Sequence, residues 1–388
     1  MHILSHVGEG DGIGAGAQER PRFRVSDRSP EELRRRLEPW LSGQFPGAED
    51  VRIDSVHAPP ANGMSSQSLL LDVRWRSDGR ENAAAWVARI APAEDAWPVY
   101  PRYDLERQFR TLRAIAAAGI PAPRALWLEP SGDLLGAPFL VMERVYGQVP
   151  PDVMPYTFEG WVLDASAEQR ARMQQATIRL LARLHAVDPQ RFGFLEPVDS
   201  SAATPLGRHL AAEASYVEWI VEGDARSPLL DRGFEWLRAN VPAEEGPPVV
   251  TWGDARIGNV MYRDFEPVAV FDWETAALAP AELDLAWFVW LHWSFQDLAV
   301  MAGLPGLPDF LRVGEVISGY ARAGGRPPQD FHWHLVYAAI RHSAVMSRVG
   351  RRMVAFGERK PVGDIDELVF NRRLVEKLLD GQWPDWAD

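Results

Sequence analysis

Residues 249–274 read VVTWGDARIGNVMYRDFEPVAVFDWE. The order is strand, polar loop, strand, then acidic residues. Asp254 and Asn259 stand in the loop with four residues between them. Asp272 follows the apolar run 267–271 and comes thirteen residues after Asn259. A loop carboxylate, a loop amide and a strand-terminal carboxylate suit phosphoryl transfer. The first would aim the acceptor hydroxyl. The other two offer hard oxygens to Mg2+, which prefers them and keeps phosphate oxygens and waters as further ligands. A Gly-Asp pair alone marks a turn; the D-x4-N spacing followed by D-x-E says more. Glu274 either joins the metal or is solvated. Arg256 either touches phosphate or substrate, or pairs with a neighbouring carboxylate.

Composition narrows the partners. The chain has 388 residues and a net charge of −13, with a pI near 5.3, which argues against nucleic acid. Without cysteines it has no disulfide, thiolate nucleophile or cysteine-ligated zinc. No apolar run has the length of a membrane span. Residues 1–28 read as a flexible tail and lack the pattern of a secretory signal, so the cytoplasm, where ATP is available, is the expected compartment. The only lysines are Lys360 and Lys377. Any cation that meets phosphate in the first half is therefore an arginine.

The remaining segments are read from periodicity and turn chemistry. A helix is expected over 29–42, and strands over 51–57, 68–75 and 84–90. A helix over 104–118 is stopped by Gly119, Pro121 and Pro123, and strands over 125–128 and 138–143 follow. From about residue 150 the pattern is helical. Ser166 and Gln169 form a capping box for a helix ending near His185. Further helices are expected over 206–221, 229–240, 281–301, 309–323, 330–352 and 364–379.

Other residues carry chemistry only in this frame. The loop 60–67, with Gly63, Ser65 and Ser66, leaves backbone N–H groups to approach phosphates, although a hairpin turn is the more common explanation of such a loop. Arg89 closes the third strand and can pair with Glu106 on the following helix, which would aim its guanidinium at nucleotide phosphates. Met142, Glu143 and Val145 form the connector between lobes, where a carbonyl and an N–H can meet an adenine edge. His185 suits a helix-terminal role. Asp284 reads as a buried carboxylate bracing the catalytic loop. Trp287, Trp290, Trp293, Asp297 and Arg341 lie on helices that could wall the acceptor cleft, with core packing the ordinary role of the tryptophans.

Together these residues resemble the aminoglycoside phosphotransferase family, with its choline-kinase-like and protein-kinase-like relatives. Segments that carry the likeness include Val87-Ala88-Arg89, Leu105-Glu106-Arg107-Gln108-Phe109, Ile120-Pro121-Ala122-Pro123 and Leu184-His185-Ala186-Val187-Asp188. The chain looks most like the branch with arginine in the third strand, fused to acyl-CoA dehydrogenases or standing alone in actinobacteria. The resemblance implies an α+β, bilobal, protein-kinase-like fold, with a small antiparallel N-lobe over 29–145 and a mostly helical C-lobe over 146–388. It implies ATP and Mg2+ as cofactors and a small-molecule hydroxyl as acceptor. Asp254 would be the catalytic residue, and Asn259 and Asp272 the metal ligands. Arg89 would take the phosphates, held by Glu106. Ser65, Ser66, Met142, Glu143 and Val145 would contact the nucleotide. A metabolite or hydroxyacyl-type acceptor is favoured. An antibiotic kinase and a nucleotide-binding module without turnover are the alternatives. Trp252 stands where most members carry histidine, so the loop's support must differ.

Overall fold

The structure is a computed structural model that describes residues 29–59, 66–92, 97–196 and 204–387. The expected tail 1–28 and Ser65 lie outside the described residues. Helix α1 (Pro30–Gln44) starts at Ser29, whose hydroxyl accepts from the Glu32 N–H. Strands β1 (Glu49–His57), β2 (Gln67–Ser77) and β3 (Arg80–Ile90) follow, then α2 (Leu105–Ala117), β4 (Ala125–Glu129) and β5 (Phe139–Glu143). The sheet runs β1-β2-β3-β5-β4, and every pair is antiparallel. Its cover is aromatic: Phe45 stacks on Trp75 and Trp86 and meets Trp127 edge-on.

The remainder is mostly helical: α3 (Trp161–Asp164), α4 (Ala167–His185), α5 (Pro205–Ile220) and α6 (Pro228–Ala239), then α7 (Glu282–Met301), α8 (Val313–Arg322), α9 (Phe331–Ala355) and α10 (Arg372–Leu379). The Ser166–Gln169 capping box forms as read. Helix α7 is apolar all round and is buried along most of its length, as such helices must be. Backbone hydrogen bonds fix both the end of the connector and the N-lobe to this half. Gln148 and Tyr262 exchange hydrogen bonds of 2.8 and 2.7 Å, and the Val270 N–H donates to Pro121 O.

The segment with the opening motif is not one hairpin. Strand β6 (Val249–Thr251) pairs with β9 (Ala277–Ala279), and β7 (Val260–Arg263) pairs with β8 (Glu266–Val270). The helix expected over 309–323 starts four residues later, after Leu311 turns through φ +55°. The helix expected over 364–379 is broken into a 3-10 turn at Ile365–Leu368 and α10. Asp366 explains the break, because its carboxylate caps α6 by accepting from Ser227 Oγ and the Leu229 N–H.

Candidate active site

The loop between β6 and β7 carries Asp254 and Asn259, and the segment after β8 carries Asp272 and Glu274. Gly253 makes the first turn possible. Its φ is +84°, and a Cβ there would lie 2.2 Å from Thr275 O, so only glycine fits. The Trp252 and Gly253 N–H groups both donate to Asp284, at 2.7 and 2.8 Å. Asp284 is 1% exposed and meets His185 Nε2 at 3.1 Å. Asp284 is the brace expected of it. His185 ends α4 but bonds Asp284 and Tyr320, which goes beyond a helix-terminal role.

Trp252 supplies the altered support. Its indole N–H donates to Phe271 O at 2.8 Å and Asp272 O at 3.1 Å. One side chain therefore ties the loop of Asp254 to the segment of Asp272. The Phe271 N–H also donates to Asn259 O. Asp272 sits at φ +59°, in the left-handed region that Asp tolerates better than most side chains.

Asp254 is surrounded by donors. Asn259 Nδ2 meets Oδ2 at 2.6 Å, Arg256 Nε meets the same oxygen at 3.2 Å, and Trp287 Nε1 meets Oδ1 at 2.7 Å. Burial alone would raise this carboxyl. The charge of Arg256 and the Trp287 hydrogen bond lead the effects that outweigh it, and they hold Asp254 below the ordinary carboxylate range. Asn259 Nδ2 also contacts Asp254 O. Both partners are acceptors, so the amide is fixed with its oxygen turned away from Asp254. Arg256 pairs with Asp152 as well as Asp254, the carboxylate pairing that is one of its two readings.

Arg89 is brought to this site, but not by Glu106. Its guanidinium meets Asp272 Oδ1 at 2.7 Å and Glu274 Oε2 at 3.5 Å. Burial opposes its charge, and these two carboxylates restore it. Glu106 is exposed in the first turn of α2, where a negative charge suits the helix N-terminus. The next residue makes the link to the C-lobe: Arg107 donates to Leu195 O and Ala276 O. Ser66 is buried just before β2, and Met142 is buried on β5. The Glu143 side chain points to Arg124.

Sequence reasoning placed Trp287 and Arg341 on the cleft wall without their contacts. Trp287 touches Asp254 itself. Arg341 lies 4.5 Å over the Trp287 ring, donates to Gly253 O at 2.7 Å and pairs with Glu213 at 3.0 Å. Glu213, in mid-α5, and Asp152, in a turn, carry no local signal; only the fold brings them here.

Comparisons with known proteins give the family and the fold. Residues 68–333, more than half the chain, match the phosphotransferase enzyme family. Acyl-CoA dehydrogenase family member 10 of Mus musculus is 26% identical over 64% of the chain and 23% of its own length. Family member 11 of Rattus norvegicus is 23% identical over 78% of the chain and 37% of its own length. The chain thus spans well under half of these relatives. A Ralstonia eutropha structure described provisionally as an aminoglycoside phosphotransferase has TM-score 0.62 and 20% identity, covering 89% of this chain and 96% of that one. Aminoglycoside 2'-phosphotransferase-IIIa in its GDP complex has TM-score 0.55 and 16% identity, covering 90% and 99%. The fold is the one these solved phosphotransferases share, and the chain belongs to the phosphotransferase enzyme family.

Proposed function

We infer that this chain transfers the γ-phosphoryl group of ATP, bound with Mg2+, to a hydroxyl of a small molecule. One observation carries the reading. Three oxygen-bearing side chains from two segments, Asp254 and Asn259 on the loop before β7 and Asp272 after β8, are tied into one unit by Trp252 and by the Phe271–Asn259 backbone bond. The donor set fits magnesium: a carboxylate on Asp272 and an amide oxygen on Asn259 turned away from Asp254. When bound, the ion neutralises charge developing on the phosphates. Arg89, fixed by Asp272 and Glu274, is the cation offered to those phosphates. Ser66, Met142, the Glu143 carbonyl and the Val145 N–H are the proposed nucleotide contacts on the N-lobe side.

Asp254 is held ionised, so it aims the acceptor hydroxyl and receives its proton late in transfer. Trp287 and Asn259 fix which of its lone pairs remain available. A metabolite, such as a hydroxyacyl compound, is favoured over a polycationic antibiotic by the charges beside Asp254. Arg256 and Arg341 pair with Asp152 and Glu213 there, which offsets negative charge that a polycationic acceptor would need. The test is phosphate transfer from Mg-ATP over an acceptor panel of hydroxyacyl compounds, kanamycin and a macrolide. Turnover with a hydroxyacyl compound, reduced roughly 10²–10⁴-fold in Asp254→Ala, supports the reading. Undiminished turnover in that variant rejects the assignment of Asp254, and transfer to kanamycin alone rejects the favoured acceptor.

A further inference from the structure

A cavity lies behind the catalytic loop, between the end of α4, the segment before β6, the start of α7 and the end of α8. Its volume is about 130 Å³, and its lining includes His185, Gly246, Glu282, Tyr320 and Arg326. Glu282 is 5% exposed. Its Oε1 accepts one long bond, 3.4 Å from the Gln329 N–H, and no partner for Oε2 is found among the described residues. Arg326 has neither an ion pair nor a hydrogen bond among the described residues. The two charges face each other across Gly246. A Cβ on that glycine would stand 3.2 Å from Glu282 Oε2 and 3.4 Å from Arg326 Nη1, yet no ion pair closes the gap.

We propose that this cavity binds a small zwitterion of the α-amino-acid class, with its ammonium on Glu282 and its carboxylate on Arg326, and that occupancy stiffens the catalytic loop. A buried carboxylate lacking full partners is costly, and an ammonium held against it recovers that cost. A guanidinium reads a carboxylate in two-point fashion. The space suits a molecule of roughly six to eight non-hydrogen atoms, judged by a similar-sized cavity that admits benzene. The absence of a side chain at Gly246 leaves the space between the charges open. The route to the loop is direct. His185 and Tyr320 line the cavity and bond each other at 2.8 Å. His185 bonds Asp284, which holds the Trp252 and Gly253 N–H groups.

The test titrates the full chain with glycine, L-alanine and L-serine by ligand-observed NMR, with propionate and ethylamine as single-charge controls. Saturable binding of at least one amino acid is expected, at least about tenfold weaker for the controls and for Arg326→Ala, from the loss of one charge-assisted contact. Gly246→Ala places a methyl between the charges and is expected to lose binding. Arg326 is exposed, so its variant reports on the site while the fold persists. Bound amino acid is expected to slow amide exchange at Trp252 and Gly253. No saturable binding by any of the three, or equal binding by Arg326→Ala, overturns the site. Binding with unchanged exchange overturns its link to the loop. No readout uses turnover, so the result is separable from the phosphoryl-transfer reading.

Discussion

At the scale of single residues, the site depends on what each polar atom touches. Asp254 has its charge favoured by Arg256, Trp287 and Arg341 against burial. A carboxyl with a depressed pKa stays ionised above its ordinary value of about 3.9, and its charge is lost only as pH falls through the lower folded value. The acid limb of kcat/KM due to Asp254 is therefore expected below about pH 4. Trp287→Phe removes the 2.7 Å bond to Oδ1 and is expected to move that limb to higher pH; an unmoved limb would show that Trp287 only packs. Trp252→Phe keeps a ring but strips two carbonyls of their donor. A stability loss of about 1–3 kcal/mol is expected in denaturant titration, together with weaker Mg-dependent nucleotide binding. Wild-type behaviour on both counts would remove Trp252 from the account. The sequence displays Asp254, Asn259 and Asp272 because their spacing is local. It hides Glu213 and Asp152, whose roles exist only through partners on remote elements.

At the scale of elements, local patterns carried furthest where one helix or strand determines itself. The periodicity of residues 104–118 and the capping box at Ser166 are visible because the contacts lie within a few residues. The breaks are not. Asp366 reads as an ordinary residue early in a helix, yet its carboxylate serves another helix 137 residues earlier. The same holds for β6 and β7, which look like hairpin partners and instead pair with β9 and β8. Arg107 rather than Glu106 makes the long-range contact of α2, because side-chain direction on the helix selects which residue reaches the C-lobe. Asp366→Ala uncaps α6 and is expected to cost about 1–2 kcal/mol in chemical denaturation. A loss within error would mean that Ser227 caps the helix unaided.

At the scale of the whole molecule, the two halves meet where chemistry is proposed. Arg89 comes from the sheet, and Asp272 and Glu274 come from the segment after β8. Among the described residues, no helix is long and apolar enough to cross a membrane. The relatives are longer proteins of which this chain matches a part, so family membership fixes fold and chemistry more firmly than acceptor. In the proposed reaction, Asp272 holds the nucleotide's metal while Asp254 faces the acceptor. This division of roles is tested most directly by titrating ATP with and without Mg2+ into the parent, Asp272→Ala and Asp254→Ala. Asp272→Ala is expected to lose the magnesium-dependent gain in affinity while Asp254→Ala keeps it. An unchanged gain in Asp272→Ala would contradict it.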